Sequence, residues 1–139
     1  MLIALITPAE ILRKHQLRRT SCREGILEAM LLERRALSEQ EIRDQLQGHY
    51  DRTTFYRSFK TLEENRLLHK IVVDPTIVRY AIDPSVFENP EHAHFFCEKC
   101  QHVLCLDAIP VHNPALPAGF FIKESEFILK GVCKSCGES

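Results

Sequence analysis

Two Cys-x-x-Cys motifs constrain the fold of this chain more than any other feature of its sequence. Cys97 and Cys100 form the first pair and Cys133 and Cys136 the second, with residues 101–132 between them. Each pair can form a tight turn whose two thiolates converge on one cation, and two pairs complete the tetrahedral four-cysteine site of structural zinc. The sequence therefore predicts a zinc-held C-terminal part whose first strand is tied to its last.

Two other uses of these cysteines fit the pattern less well. A redox dithiol typically places one Cys-x-x-Cys at the start of a helix in a thioredoxin-like α/β pattern, whereas both motifs here flank strand-like runs. A zinc enzyme needs an open coordination position on its metal, and four cysteines leave none. We therefore expect Zn²⁺ as a structural cofactor and no enzymatic activity.

Chain length and composition support a metal-stabilised, cytoplasmic protein. The 139 residues are 45% apolar and include no Trp, which suits one domain or two small ones with modest cores. The apolar start, MLIALI, is too short for a signal core or a membrane span, and no other stretch predicts one. In the reducing cytoplasm, six cysteines favour metal binding over disulfides.

Residues 1–83 carry the signals of four helices followed by a hairpin. Four residues stand where a helix N-cap is expected: Thr7, Thr20, Ser38 and Asp51. Glutamates three residues after Thr7 and Ser38 complete two capping boxes, and Gly48 is placed to end the third helix. The β-branched runs KIVV and IVRYAI flank DPT and predict a hairpin. This order is typical of a winged helix-turn-helix domain.

The fourth predicted helix, beginning after Asp51, has one apolar and one polar face. Phe55, Phe59 and Leu62 recur at helical spacing and are expected to point inward. The residues expected to face outward are Arg52, Thr53, Tyr56, Arg57 and Lys60. That polar face fits either a DNA-reading surface or an ordinary solvated helix face. Residues 1–83 hold 14 Lys and Arg against 12 Asp and Glu, whereas residues 84–139 hold 4 against 7, a weak indication of divided labour.

The remainder of the chain predicts a hinge and a small strand-rich part. The segment 84–91 contains two prolines and no periodicity, which indicates a hinge. HFFCEKC and HVLCLD follow, then the proline-rich IPVHNPALPAG, and finally FFIKESEFILKGV at 120–132, which is the longest strand candidate. The predicted fold class is α+β, with an N-terminal winged helix-turn-helix domain and a small C-terminal α/β domain that holds the four-cysteine zinc site.

A second metal site is an open question in the sequence. His92 and His94 alternate as on a strand, so their side chains point to one side. They fit either a second, regulatory metal or two polar residues at an exposed hinge, and spacing alone does not decide. Cys105 fits a small buried apolar residue better than a third ligand, although with the two histidines it would form a donor set that favours zinc.

Four segments in order resemble the ferric uptake regulator (Fur) family of bacterial metalloregulators. LRKHQLRRTSCREGIL at 12–27 resembles the family's opening pattern, and TTFYRSFKTLEENRLL at 53–68 resembles its recognition helix. HAHFFCEKCQHV at 92–103 resembles its His-x-His followed by the first zinc pair, and GVCKSC at 131–136 resembles the second pair. The resemblance covers nearly the whole chain, and the ordered set of four is more specific than any single segment.

The resemblance implies a repressor that binds double-stranded DNA as a homodimer on an inverted-repeat operator. It implies a winged-helix DNA-binding domain at 1–83, a hinge at 84–91 and a zinc-binding dimerisation domain at 92–139. It assigns DNA contacts to Tyr56 and Arg57 and a minor-groove approach to Lys14. With the polar face described above, the candidate DNA-binding residues are Lys14, Arg52, Thr53, Thr54, Tyr56 and Arg57.

The chain departs from the family's pattern at its metal-sensing positions. Ala36 and Ala81 stand where the resemblance implies a His and a Glu, and Cys105 stands where it implies a carboxylate. The resemblance also implies a further metal site with an acidic residue at position 93, where this chain has Ala93, and with a His near Ser125. These departures leave open a regulator that has lost metal sensing. The weak net charge of -1 also leaves open a zinc-stabilised dimeric interaction module without DNA activity.

Overall fold

The computed structural model describes residues 6–33, 35–83, 86, 93–106, 111–123 and 125–138. The chain divides into two compact units, Met1–Pro90 and Glu91–Ser139. In chain order the elements are α1 (Pro8–Lys14), α2 (Ser21–Leu31), β1 (Arg35–Ala36), α3 (Glu39–Gln45), α4 (Arg52–Glu64), β2 (Leu68–Asp74), β3 (Ile77–Ile82), β4 (Ala93–Cys97), β5 (Val103–Leu106), β6 (Ile128–Gly131) and α5 (Lys134–Gly137). The predicted α+β class is confirmed. In the described part of the chain, every helix is too short or too polar to span a bilayer.

The first four helices begin at the four predicted caps. Thr7 and Ser38 accept hydrogen bonds from the backbone N–H of the glutamate three residues on, and each glutamate reaches back to complete a capping box. The side chains of Thr20 and Asp51 cap α2 and α4 by accepting the backbone N–H of Arg23 and of Thr54. The prediction that Gly48 ends the third helix is close, because α3 stops at Gln45 and the chain turns through positive φ at Gln47 (52°) and Gly48 (72°).

One apolar core holds the helices of the first unit together. Its members are buried residues of α1, α2, α3, α4 and β2, among them Ile11, Leu12, Ile26, Leu27, Ile42, Phe55, Phe59 and Leu62. The Phe59 ring stacks near Phe55 at 5.7 Å between centroids and meets Tyr80 edge-on at 4.7 Å. These contacts fix the rotation of α4 about its axis, and so decide which of its residues face outward.

The predicted hairpin is confirmed as β2 and β3, which pair antiparallel from Leu68↔Ile82 to Val72↔Val78. Its turn is closed by Asp74, whose Oδ1 accepts the backbone N–H of Thr76 at 2.8 Å. Leu37, directly after β1, exchanges two backbone hydrogen bonds with Tyr80 at 2.8 and 2.7 Å. The hairpin is thereby tied to the segment that leads into α3.

The second unit is built around β4. This strand pairs antiparallel with β5, from Ala93↔Leu106 to Phe96↔Val103, and parallel with β6, from His94↔Ile128 to Cys97↔Gly131. The predicted hinge at 84–91 lies outside the described residues except for Val86, and so does His92.

The long strand predicted over 120–132 is wrong, because only Ile128–Gly131 forms β6. The parallel register with β4 begins at His94↔Ile128, where the backbone N–H of His94 donates to the carbonyl of Phe127 at 2.8 Å. The described residues before Phe127 lie outside that register. The apolar side chains of Phe120 and Phe121 are 64% and 90% exposed. The aromatic residues of this segment favour extended backbone, but a strand forms only where a backbone partner exists. The described residues 111–120 contain no helix, in keeping with prolines that cannot donate to one.

Candidate metal centre and candidate DNA-binding surface

Strand pairing brings the two Cys-x-x-Cys motifs together. Cys97 is the last residue of β4, and Cys100 follows in the turn after it. Cys133 precedes α5 and Cys136 lies in it, just after β6. Because β4 and β6 run parallel with Cys97 opposite Gly131, both motifs emerge at the same end of the sheet. The predicted tie between the first and last strands of this unit is confirmed.

The geometry of the four cysteines fits a structural zinc ion. Their four Sγ atoms lie within 4.8 Å of one another, and the Sγ atoms of Cys100 and Cys133 are 3.9 Å apart. A tetrahedron with Zn–S bonds of about 2.3 Å has sulfur–sulfur edges of roughly 3.8 Å. A set of four thiolates is the donor chemistry of a closed, structural zinc site.

Cys97 is the thiolate best stabilised by the protein itself. Its Sγ accepts the backbone N–H of Cys100 at 3.5 Å and that of Cys133 at 3.3 Å. These two donors lower the pKa of Cys97 to about 6. Hydrogen bonds with the sulfurs of Cys133 and Cys97 raise the pKa of Cys136 to about 12. The lowered pKa favours the thiolate form of Cys97, and its sulfur lies where both motifs donate to it.

His94 and Cys105 lie side by side on adjacent strands of the sheet. They are direct antiparallel partners on β4 and β5, with the His94 side chain 2% exposed. The structure thus brings together two of the three residues predicted for a second metal. Within the described segments, the four-cysteine cluster is the one group of three or more potential ligands with converging donor atoms. The expectation that Cys105 is simply a buried apolar residue is met only in part, because Cys105 is half-buried.

The other positions that the resemblance links to metal sensing supply no ligand here. Three of them are alanines, and the fourth is a serine whose hydroxyl is bonded elsewhere. Ala36 and Ala81 are buried in the structure, and Ala93 is buried on β4. The hydroxyl of Ser125 donates to the side-chain carbonyl of Asn113 at 2.8 Å. These residues add no donor to the His94–Cys105 pair.

The outward face of α4 is the candidate DNA-binding surface. Phe55, Phe59 and Leu62 are at most 3% exposed, as predicted. The predicted outward residues of α4 are all exposed, together with Thr54; they are Arg52, Thr53, Tyr56, Arg57 and Lys60. Lys14, at the end of α1, is also exposed. The Asp51 carboxylate accepts from the side chain and the backbone N–H of Thr54, and this lowers the pKa of Asp51.

Sequence reasoning missed a contact within this surface. The hydroxyl of Tyr56 donates to Oε2 of Glu39, the first residue of α3, at 2.9 Å. Burial raises the pKa of Tyr80, and the charges of Glu63 and Glu39 raise it further, so the Glu39 carboxylate lies close to both tyrosines. No periodicity could have indicated the pair, because the two residues are 17 positions apart and on different helices.

Comparisons with known proteins agree with this architecture. The model of the ferric uptake regulator family matches residues 14–115. The ferric uptake regulator Fur of Helicobacter pylori, whose structure reveals three functional metal-binding sites, is 18% identical, with 97% of each chain covered and a TM-score of 0.65. A zinc uptake regulator complexed with zinc and DNA is 21% identical, covering 99% of this chain and 93% of that one with a TM-score of 0.66.

A zinc-bound manganese uptake regulator is 18% identical, with 92% of this chain and 99% of that one covered and a TM-score of 0.65. At such identities these likenesses establish a shared fold. No curated protein sequence matches this one significantly.

Proposed function

The chain belongs to the ferric uptake regulator family, and from this premise we propose that it is a sequence-specific, DNA-binding transcriptional repressor that acts as a homodimer. The observation that carries the proposal is the division of α4 into two faces. The apolar face is locked into the core through Phe55 and Phe59, and the opposite face presents Tyr56 and Arg57 to solvent. A helix held in this way is suited to enter the major groove of DNA.

The exposed side chains of α4 have the chemistry that a DNA reader needs. Arg57 can donate two hydrogen bonds to a guanine or bind a phosphate, and Tyr56 offers a ring and a hydroxyl. Arg52, Thr53 and Thr54 lie in the first turn of α4, where side chains and backbone N–H groups approach phosphates. Lys14, at the end of α1, adds a further positive charge. The solved zinc uptake regulator of the same fold was complexed with zinc and DNA.

We assign dimerisation to the C-terminal unit. The division proposed from the sequence, with DNA binding at 1–83, a hinge at 84–91 and dimerisation at 92–139, is supported by the two compact units. Large apolar side chains of the second unit are exposed, namely Leu116, Phe120, Phe121, Ile122, Leu129 and Val132. Exposed apolar side chains in this number on a small unit favour a protein interface there. The described residues within 120–127 form no strand in this chain.

The four-cysteine cluster fits zinc as a scaffold for this unit, and we propose that a second metal has at most a small effect on DNA binding. His94 and Cys105 are two donors, whereas a selective site usually needs three or four ligands. The sensing positions that the family resemblance implies at Ala36 and Ala81 carry no ligand atom. The protein is then a family member in which the metal mainly holds the fold together.

The test begins with DNA selected from a random pool by the wild-type protein and continues with salt-titrated affinity measurements. Arg57→Ala is expected to weaken binding by about 1–3 kcal/mol if Arg57 contacts a base in two places. Arg57→Lys keeps the charge but loses the bidentate contact, so it should retain only the part of the affinity that comes from a phosphate contact. Tyr56→Ala should weaken binding while the protein remains folded, because Tyr56 lies outside the apolar core.

A dimer on an inverted repeat further predicts that removing one half-site weakens binding steeply. Selection of no sequence, or unchanged affinity in both the Arg57→Ala and the Tyr56→Ala variants, would favour an interaction module without DNA activity.

A further inference from the structure

The hydroxyl of Tyr56 is engaged by a carboxylate on the neighbouring helix. Tyr56 on α4 donates to Oε2 of Glu39 on α3 at 2.9 Å. Glu39 is half-buried, and Tyr56 keeps 41% of its surface exposed. The bond therefore joins the two helices at the edge of the candidate DNA-binding surface, with the tyrosine ring still open to a ligand.

The direction of this hydrogen bond limits what Tyr56 can offer to DNA. An ionised carboxylate only accepts hydrogen bonds, so the single hydrogen of the phenol is committed to Glu39. The groups of Tyr56 that remain for a partner are the oxygen lone pairs and the edge of the ring. Tyr56 can then accept from an amino group or pack against an apolar group, but it cannot donate.

The loss of the donor limits which bases Tyr56 can contact in the major groove. Guanine presents only acceptors there, N7 and O6, whereas cytosine presents an amino group, adenine an amino group beside its N7, and thymine a methyl group beside its O4. A tyrosine that cannot donate is compatible with the last three and finds no partner on guanine. We propose that Glu39 is a positioning residue that sets the base preference of Tyr56 against guanine. The inference rests on the proposed function of α4 as the helix that reads DNA.

The ring of Tyr56 is also held by an aromatic contact, so its position does not depend only on the hydrogen bond of its hydroxyl. It meets the Phe55 ring edge-on, with centroids 5.8 Å apart and planes at 77°. Phe55 is itself buried in the core. Removing the Glu39 carboxylate therefore frees the hydroxyl hydrogen while the ring stays near its place, and Tyr56→Phe removes the hydroxyl while keeping the ring.

The experiment is a double-mutant cycle read out as base preference. The base pair that faces Tyr56 is located first, as the position of the selected DNA whose preference Tyr56→Ala abolishes. Affinities for all four base pairs at that position are then measured for wild type, Glu39→Ala, Tyr56→Phe and the double variant. Glu39→Ala should improve binding to the guanine variant relative to the preferred base by about three- to tenfold, the range of one hydrogen bond. In the Tyr56→Phe background the same change should leave the preference unaltered.

Glu64→Ala is the matched control, because Glu64 is an exposed carboxylate at the end of α4. It removes the same charge and should change overall affinity and salt dependence but not base preference. An unchanged preference in Glu39→Ala, an equal shift in both backgrounds, or an equal shift in Glu64→Ala would overturn the assignment of Glu39. Failure of the wild type to select any sequence would instead overturn the proposed function itself. Melting temperatures of all variants show that each one is folded.

Discussion

The cysteines of this chain differ in role because their surroundings differ. Cys97 receives two backbone N–H donors, one from each Cys-x-x-Cys motif, so a thiolate there organises both motifs at once. Cys105, on the next strand, faces His94 rather than the cluster. Cys22 is buried in the core of the first unit, where burial raises the pKa of its thiol and favours the neutral form.

Replacing Cys97 by serine is expected to remove the zinc and unfold the C-terminal unit. Structural zinc contributes roughly 10–16 kcal/mol of apparent binding free energy in small domains, which matches or exceeds the total stability of about 5–15 kcal/mol typical of a folded protein. Metal content of the purified protein and near-ultraviolet circular dichroism measure the two effects. Cys105→Ser is the control and should retain one zinc per chain, since its sulfur is outside the cluster. A folded, metal-free Cys97→Ser protein would show that the site is dispensable.

The sequence predicts the zinc cluster but not the Glu39–Tyr56 bond, for a physical reason. Metal coordination restricts both the residue type and the spacing of its ligands, so the order of residues along the chain already identifies four cysteines in two pairs as a site. A single hydrogen bond between two side chains has no such pattern. It depends on how α3 and α4 pack, which only the three-dimensional arrangement reveals.

Helices and strands differ in how far local sequence determines them. The N-caps of α1 to α4 are all predictable, because a cap is made within three or four residues of chain. The strand predicted over 120–132 is limited to Ile128–Gly131, because a strand takes its hydrogen bonds from a distant partner. The β-branched and aromatic composition of 120–132 records a preference for extended backbone, whereas the register of β4 decides where pairing starts.

The capping box of α3 provides a test at this scale. Ser38 Oγ accepts the N–H of Glu41 at 3.1 Å, and Glu41 returns the contact to the N–H of Ser38 at 2.9 Å. Ser38→Ala should lower the free energy of unfolding of the first unit by about 1 kcal/mol, as measured by urea denaturation. Ser21→Ala removes a hydroxyl from the exposed first residue of α2 and should change stability by less than about 0.5 kcal/mol. Equal losses in the two variants would show that the box contributes nothing specific.

At the scale of the whole molecule, scaffold and signal are separable roles of metal. The four cysteines fit a closed site at the end of the paired strands of the second unit, and we expect a scaffold ion there to stay bound as long as that unit is folded. A regulatory ion must instead exchange, and it must bind the DNA-competent state with a different affinity from the alternative state. The His94–Cys105 pair is the part of the predicted regulatory site that lies among the described residues, and its predicted companion His92 lies outside them.

We therefore expect DNA affinity to respond little to added metal. Allosteric coupling is typically worth about 1–3 kcal/mol, or 5–150-fold in affinity, and a site without ligands at Ala36 and Ala81 should fall below about fivefold on that scale. The measurement is a DNA titration with and without Zn²⁺, Fe²⁺ or Mn²⁺, on wild type and on a His92→Ala/His94→Ala double variant, with the four-cysteine zinc intact in both. A larger response that the double variant loses would assign a working sensor to the two histidines. A larger response that survives in the double variant would place the signal at other residues, because the four-cysteine zinc is already bound in every sample.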